Sequence, residues 1–356
     1  MGIVDGEEAW AVTQVMNDGG SFARIRDDAS AQDPVPLDRP SLSVLMPLRN
    51  AAPFLDLALA SLAAQTYHDF EIIAVENGST DGTWDILQAW AAREPRLRAV
   101  QLDRPHLAAS LNHAAALARA PLLARLDGDD IALPHRFATQ VAAMKAQPEI
   151  GLLGSAVELI DEGGRRVGLL SPPLRHQDIC ARQRTSCGLV ASSTVMRAEV
   201  FKRAGGYRDG LNISEDFCLW SRMTEHCTVA NLAAPLIAYR VHDSSITARQ
   251  PVRMAMASLC VTAAAVARRK GEAEPYSRGT PNLRRALAIL GMSRPAARRL
   301  LRMRSASNLM SRRLAGLRIL HAGRNLLPRS VWRWGPRAVY LNWLQRSLRE
   351  TSRACD

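Results

Sequence analysis

From residue 41 the chain alternates short apolar runs with segments whose apolar residues recur every three or four positions. LSVLM (42–46) reads as a buried strand, and residues 53–65, with Leu55, Leu59 and Leu62 on one face, read as a helix. FEIIAV (70–75) is a second strand, ending in the turn ENGSTDG. A helix over 83–93, a strand over 97–102, a helix over 107–118 and a strand over 122–126 follow. Strands alternating with helices of this length predict βαβ units and a parallel sheet. Such sheets bind ligands beyond the carboxyl ends of their strands, so chemistry is expected in the loops after 46, 75 and 126.

Pro134 opens a further helix, 151–158 reads as a strand before the turn DEGG (161–164), and 193–197 as another strand. A GGY turn at 205–207, a helix from Ser214 to about 225 and a strand over 236–241 complete this region. Beyond 250 the text changes to Ala, Leu and Arg in helical periods, which places a domain boundary between 245 and 255. The organisation expected is an N-terminal extension over 1–40, an α/β domain over 41–250 and a basic helical region over 251–356. The extension ends in DPVPLDRP, whose prolines favour extended backbone and resist helix.

With 356 residues, 47% of them apolar, the chain has material for one large or two modest domains, and wholesale disorder is excluded. The net charge of +12 is unevenly placed: residues 251–356 hold 22 Lys and Arg against 4 Asp and Glu, and the rest hold 24 against 30. Six cysteines without a CxxC pair read as reduced thiols. Asp5, Glu7 and Glu8 stand where an export signal carries basic residues, and the longest uncharged apolar stretch, Met254 to Ala267, falls short of the roughly 20 residues that span a bilayer. A cytoplasmic protein is expected. After Gly335, Val339, Tyr340, Trp343, Leu344 and Leu348 share one helical face, with Arg337, Arg346 and Arg349 elsewhere, a pattern suited to the surface of an anionic membrane. Packing of these helices on the preceding domain is the plain alternative, and nucleic-acid binding ranks below both.

Four motifs could carry chemistry. LDGDD (126–130) sets three carboxylates directly after a strand. Anions so close repel unless a cation or a set of donors neutralises them, and an all-oxygen set suits Mg2+ or Mn2+. An acidic turn whose Asp130 caps the next helix explains the motif as well. In NISEDFCLWSRM, Glu215 and Asp216 open an amphipathic helix, where the dipole stabilises them; there a cap is the preferred role for Glu215, and a carboxylate aimed into a cleft is a general base. The turn ENGSTDGT offers tight backbone with free N–H groups at Gly78, Ser79 and Gly82, with Glu76 and Asn77 at the strand end and Asp81 as a helix cap. His242, in RVHDSS, is by itself no more than a packed or solvated histidine.

In their order and spacing these motifs resemble the family 2 glycosyltransferases, inverting enzymes of the GT-A fold. The matching text is LSVLMPLRNAAPFLDLALASLAAQTYHDFEIIAVENGSTDGT, LARLDGDDIALPHRF, GGYRDGLNISEDFCLWSRM and YRVHDSSIT, spread over 41–247. The resemblance implies an α/β fold of the GT-A nucleotide-diphospho-sugar transferase kind, a Rossmann-like mixed sheet flanked by helices, followed by the basic α-helical region. It implies a nucleotide-sugar pocket lined by Pro47, Arg49, Glu76, Asn77, Ser79, Asp127, Gly128 and Glu215, with Asp127 near the ribose. Asp129, with His242 beside it, would hold the Mg2+ or Mn2+ on the donor diphosphate, and Asp216 would be the base that takes the acceptor hydroxyl's proton. A diphosphate leaving group needs positive charge where negative charge develops, and attack from the opposite face needs one base.

The implied reaction moves one sugar from a nucleotide-diphosphate sugar, a UDP-sugar first among them, to a hydroxyl of a glycan or lipid-linked acceptor in bacterial polysaccharide biosynthesis, on the inner face of the cell membrane. Two departures stand out: Glu76-Asn77 replaces the family's usual pair of aspartates, and no histidine lies near Ala191, where relatives often place one. The QxxRW motif of processive synthases is absent from the sequence, which favours single transfer. The rival readings are a nucleotide-sugar-binding scaffold without turnover and a nucleic-acid-binding protein that uses the basic tail.

Overall fold

The computed structural model describes residues 39–102, 106–277 and 280–297. The expected extension up to residue 38 and the aromatic, arginine-rich segment from Gly335 lie outside these residues. The chain forms two compact units that divide between Arg240 and Val241.

The first unit opens with β1 (Leu42–Leu48), α1 (Ala52–Ala63), β2 (Phe70–Glu76), α2 (Thr83–Ala91), β3 (Leu97–Gln101), α3 (Leu107–Leu117) and β4 (Leu122–Arg125), the βαβ run that the hydrophobic pattern predicts. β1 runs parallel to both neighbours, with Val44 opposite Ile72 on β2 and Ala124 on β4. All seven residues of β1 are buried, as a parallel strand covered on both faces requires. The two-residue period then divides them: Leu42, Val44, Met46 and Leu48 pack with Leu55, Leu59 and Leu62 of α1, while Leu45 joins Leu111 of α3 in a second core across the sheet.

After β4 come β5 (Ile131–Ala132), α4 (Arg136–Ala146), β6 (Ile150–Ile160), β7 (Arg166–Leu170) and α5 (His176–Gln183). A 3-10 turn at Ala191–Ser193 leads to β8 (Val195–Arg197), α6 (Ala198–Arg203), α7 (Glu215–Met223) and β9 (Thr228–Arg240). The nine strands lie in the order β3-β2-β1-β4-β8-β6-β9-β5, with β7 on β6. β8 is antiparallel to both β4 and β6, so a parallel half joins a mixed half at the β4 edge. β9 is longer than the 236–241 that the pattern shows. Its first half, TVANLAAP, is rich in alanine and holds Pro235, which sits where the register with β6 shifts between Ser155 and Ala156.

The second unit contains α8 (Ile246–Arg249), α9 (Pro251–Arg269), the short hairpin β10 (Tyr276–Ser277) and β11 (Thr280–Pro281), and α10 (Leu283–Ile289). The apolar stretch from Met254 belongs to α9, whose Cys260 and Ala263 are buried with Ala286 of α10. No helix among the described residues is long and apolar enough to cross a membrane. The five described cysteines are free thiols.

Candidate active site

The carboxyl ends of β1, β2 and β4 bring three loops together. Asn50, in the left-handed region at φ 50°, donates its N–H to Ser79 Oγ (2.9 Å) and accepts the Thr80 N–H on Oδ1 (2.9 Å). Asparagine tolerates this conformation better than most residues. The Ala51 N–H meets Thr83 Oγ1 at 2.8 Å, and Asp81 accepts the N–H groups of both Ala52 and Thr83, so it caps α2 and also ties down the start of α1. Pro47 is buried inside β1, opposite Val75, and Arg49 is exposed in the loop after it.

The turn after β2 differs from its expected form in one respect. The Ser79 N–H is not free, because Glu76 reaches back across the turn and accepts it on Oε1, while Gln101 donates to its Oε2 at 3.0 Å. Glu76 is 1% exposed, its carboxylate fully engaged within the protein. Asn77 is buried beside it and donates from Nδ2 to Ser110 Oγ, whose own hydroxyl donates to the His106 carbonyl. That relay fixes the amide so that Oδ1 faces away; Oδ1 has no hydrogen-bond partner among the described residues.

The acidic turn after β4 packs against the first loop. A Cβ on Gly128 would lie 2.6 Å from Leu48 Cδ2 and 3.1 Å from the Ala51 Cβ, so close approach dictates glycine here. The Asp127 N–H donates to Ser192 Oγ at 3.1 Å, from the 3-10 turn. The Asp127 carboxylate accepts Arg125 Nε at 3.1 Å, and Arg125 Nη1 reaches Glu215 Oε1 at 3.0 Å. The Glu215 carboxylate therefore turns to a buried guanidinium and does not cap α7, as the sequence favoured. Asp216, next along α7, accepts the Phe217 N–H at 2.6 Å.

Asp130 does not cap α4, which starts at Arg136 without a side-chain cap. It is buried and accepts the Arg240 N–H at 2.8 Å. The Arg240 guanidinium, at the end of β9, donates to the carbonyls of Asp129 (2.9 Å) and Glu162 (2.9 Å), clamping the acidic turn from below. The Asp129 side chain is half-buried. His242 belongs to the second unit, where its Nδ1 pairs with Ser244 Oγ. The structure thus gathers Asp127, Gly128, Asp129, Glu215 and Asp216 around one edge and sets Glu76, Asn77 and Ser79 in the neighbouring turn.

Burial and nearby charge perturb Asp130, Glu215 and Asp216. Asp130 is held well above the usual carboxylate range by burial and by the charges of Asp129 and Asp127. Glu215 is pushed up to about 7 by burial and by Asp216, against the pull of Arg125. Asp216 is also raised, by burial, with Arg125 opposing. Burial works against the charge on Arg125, but Asp127 and Glu215 outweigh it and the guanidinium stays protonated. Among the described residues no three His, Cys, Asp or Glu side chains cluster closely enough to chelate an ion unaided.

One guanidinium thus joins the end of a strand, a tight DGD turn and a helix that opens with a carboxylate pair. The model of Glycosyl transferase family 2 matches residues 43–205. The chain belongs to glycosyl transferase family 2. The putative glycosyltransferase EpsE of Bacillus subtilis is 32% identical over 52% of this chain and 67% of its own length. The O-antigen biosynthesis glycosyltransferase WbnJ of Escherichia coli is 30% identical over 57% of this chain and 81% of its own. In fold the chain is similar to TarS of S. aureus in complex with UDP-GlcNAc, with a TM-score of 0.53, 16% identity and coverage of 64% and 66%. It is similar also to the mannosyltransferase PcManGT of Pyrobaculum calidifontis in complex with GDP-Man and Mn2+, with a TM-score of 0.50, 18% identity and coverage of 89% and 88%. The GT-A architecture expected from the resemblance is the one observed: a mixed α/β fold with a largely parallel sheet flanked by helices.

Sequence reasoning missed the three buried cations and the hydroxyl that shape this edge: Arg125, Arg136, Arg240 and Ser192. One signal was available. A lone arginine in the apolar strand LLAR is costly unless carboxylates reach it, which marks Arg125 as part of the acidic site.

Two measurements follow from this geometry. Gly128→Ala has no room beside buried Leu48 and should destabilise the protein by about 1–3 kcal/mol in urea unfolding. Glu215 is protonated below about 7 in the folded state, whereas in the unfolded chain it holds its proton only below about 4.3. Its contribution to stability is therefore complete below that lower value and is lost as pH rises through about 7. Glu215→Gln should flatten the fall of the thermal midpoint with rising pH across this window; an unchanged slope would remove Glu215 from the account.

Proposed function

We propose that the chain is an inverting transferase that moves a single sugar from a nucleotide-diphosphate sugar, a UDP-sugar in the first instance, to a hydroxyl of a glycan or lipid-linked acceptor. The observation that carries this reading is the meeting of Asp127 and Glu215 on the Arg125 guanidinium, which lies 90 residues before Glu215. It brings the donor-side turn and the acceptor-side carboxylates to one edge of the sheet. The names of relatives concerned with O-antigen synthesis support a polysaccharide acceptor, and UDP-GlcNAc or GDP-Man in the fold neighbours supports the donor class.

In this mechanism Asp216 accepts the proton of the attacking hydroxyl, and its raised affinity for protons suits a base working near neutrality. Asp127 orients the ribose. Asn77 Oδ1, fixed as an acceptor, takes an N–H of the nucleobase, while Glu76 acts by holding the turn closed rather than by touching the base. The oxygen donors of the DGD turn fit Mg2+ or Mn2+, ions that keep several positions for water and substrate phosphate and need no all-protein cage. Asp129 would hold the ion. When bound, it neutralises the charge that develops on the departing diphosphate.

Asp216→Asn preserves shape and removes the base. It should lower kcat for transfer by about 10²–10⁴-fold while leaving intact the rise in thermal midpoint that UDP with Mn2+ produces. Retention of the full rate would strip Asp216 of its role, and the absence of turnover with every donor would favour a nucleotide-sugar-binding scaffold.

The excess of Lys and Arg over 251–356 supports a reading in which this reaction runs at the cytoplasmic face of an anionic membrane, each Arg near the surface contributing about 1 kcal/mol. Full-length protein with Arg337, Arg346 and Arg349 changed to Glu should lose sedimentation with phosphatidylglycerol vesicles and keep its transfer rate on a soluble acceptor. Undiminished vesicle binding by that variant, or preference of the wild type for duplex DNA, would defeat the membrane reading.

A further inference from the structure

The reaction proposed above leaves Arg125 without a part, and the inference drawn here rests on that reaction. Arg125 is the last residue of β4, and its side chain is 4% exposed. Its main chain is fixed on both sides: the N–H donates to the Thr194 carbonyl at 3.0 Å, and the carbonyl accepts Arg136 Nη2 at 2.8 Å. The side chain therefore leaves a rigid point. Its two ion pairs, to Asp127 and to Glu215, use separate nitrogens of one planar fork, a geometry that lysine cannot reproduce.

Stability does not require such a device. A buried ion pair replaced by well-packed apolar groups of similar volume is often neutral or stabilising, whereas loss of one partner leaves an uncompensated charge. What the guanidinium supplies and an apolar pair would not is orientation and charge at the reacting edge.

We propose that Arg125 is a positioning residue for sugar transfer, one shared cation that holds the donor-side carboxylate Asp127 and the acceptor-side carboxylate Glu215 in fixed relation on either side of the reaction. Its charge also acts on Asp216, and so helps to keep the base ionised. The groups that bear on the Glu215–Asp216 pair are Arg125 and Asp127 at the end of β4, Tyr207 in the loop before α7, Cys187 in the loop after α5 and Tyr239 on β9. Arg125 is the only cation of this set.

Opposite changes of charge should therefore move the titration of the pair in opposite directions, which no loss of packing would do. The test compares full-length wild type, Arg125→Met and Glu215→Gln by two readouts from pH 5 to 9. One is the pH profile of UDP release from UDP-GlcNAc with Mn2+; the other, which needs no substrate, is the pH dependence of the thermal midpoint. Arg125→Met should move the acid limb of the rate profile and the midpoint of the stability curve up by about one pH unit, and Glu215→Gln should move the acid limb down. At pH 7, kcat/KM should fall about tenfold or more in Arg125→Met.

The double change R125M/E215M removes both charges together. It should recover the thermal midpoint without recovering kcat/KM; recovery of both would show that Arg125 is merely structural and overturn the proposal. Should Arg125→Met fail to fold, Arg125→Lys keeps the charge and loses the fork, and a rate equal to wild type in it overturns the proposal equally. If wild type releases no UDP from UDP-GlcNAc, that failure bears on the donor reading alone. The stability curves then decide for Arg125: a shift with Arg125→Met supports its charge coupling, and coincident curves end it.

Discussion

The first unit depends on a problem of like charge. Asp127, Asp129, Asp130, Glu215 and Asp216 meet at the end of β4, where burial strengthens their repulsion. Arg125 and Arg240, both buried, answer it. Arg125 neutralises carboxylates directly, and Arg240 works mainly through main-chain carbonyls of the turn. Arg136 supplies a third guanidinium beneath them, lowered to about 9 by its own burial and bound to the carbonyls of Arg125 and Thr194. Each cation is anchored to backbone or carboxylate at a strand end, so the charge balance and the sheet topology specify one another.

That dependence accounts for the change in direction at the β4 edge. A wholly parallel sheet would carry the chain after β4 away through another crossover helix. The antiparallel β8 instead brings the 3-10 turn of Ser192 against Asp127, and its Thr194 carbonyl secures the Arg125 N–H. Farther along, β9 delivers Arg240 to the underside of the same turn. The parallel half of the sheet presents the loops, and the mixed half fixes the acidic one.

Most of the βαβ framework was legible in the sequence because burial on both faces of β1 and β2 leaves largely apolar runs, broken only by the buried polar residues Ser43, Glu71 and Glu76, and helices such as α1 show their period plainly. β9 was half hidden, since Pro235 and the alanines before it erase the strand signature at a register shift. Of the site, the acidic motifs were visible as text, but their partners were not. Spacing shows that Glu215 opens a helix; it does not show that Arg125, 90 residues earlier, intercepts its carboxylate before it can cap that helix. Asp130 was misread for a similar reason, its hydrogen bond being to the Arg240 main chain across the sheet.

The Glu76-Asn77 turn shows how a departure from a family pattern can be absorbed locally. Glu76 spans the turn and takes up the Ser79 N–H with its own carboxylate. With glutamate, the carboxylate closes its own loop and is further held by Gln101. Ser110 uses its proton on the His106 carbonyl and must accept from Asn77, which leaves Asn77 Oδ1 as a buried acceptor of fixed direction. An unpaired buried acceptor is destabilising by about 1–3 kcal/mol, and a ligand N–H that satisfies it recovers that energy on binding. The turn thus keeps its one carboxylate for its own main chain and leaves one amide oxygen with a fixed direction.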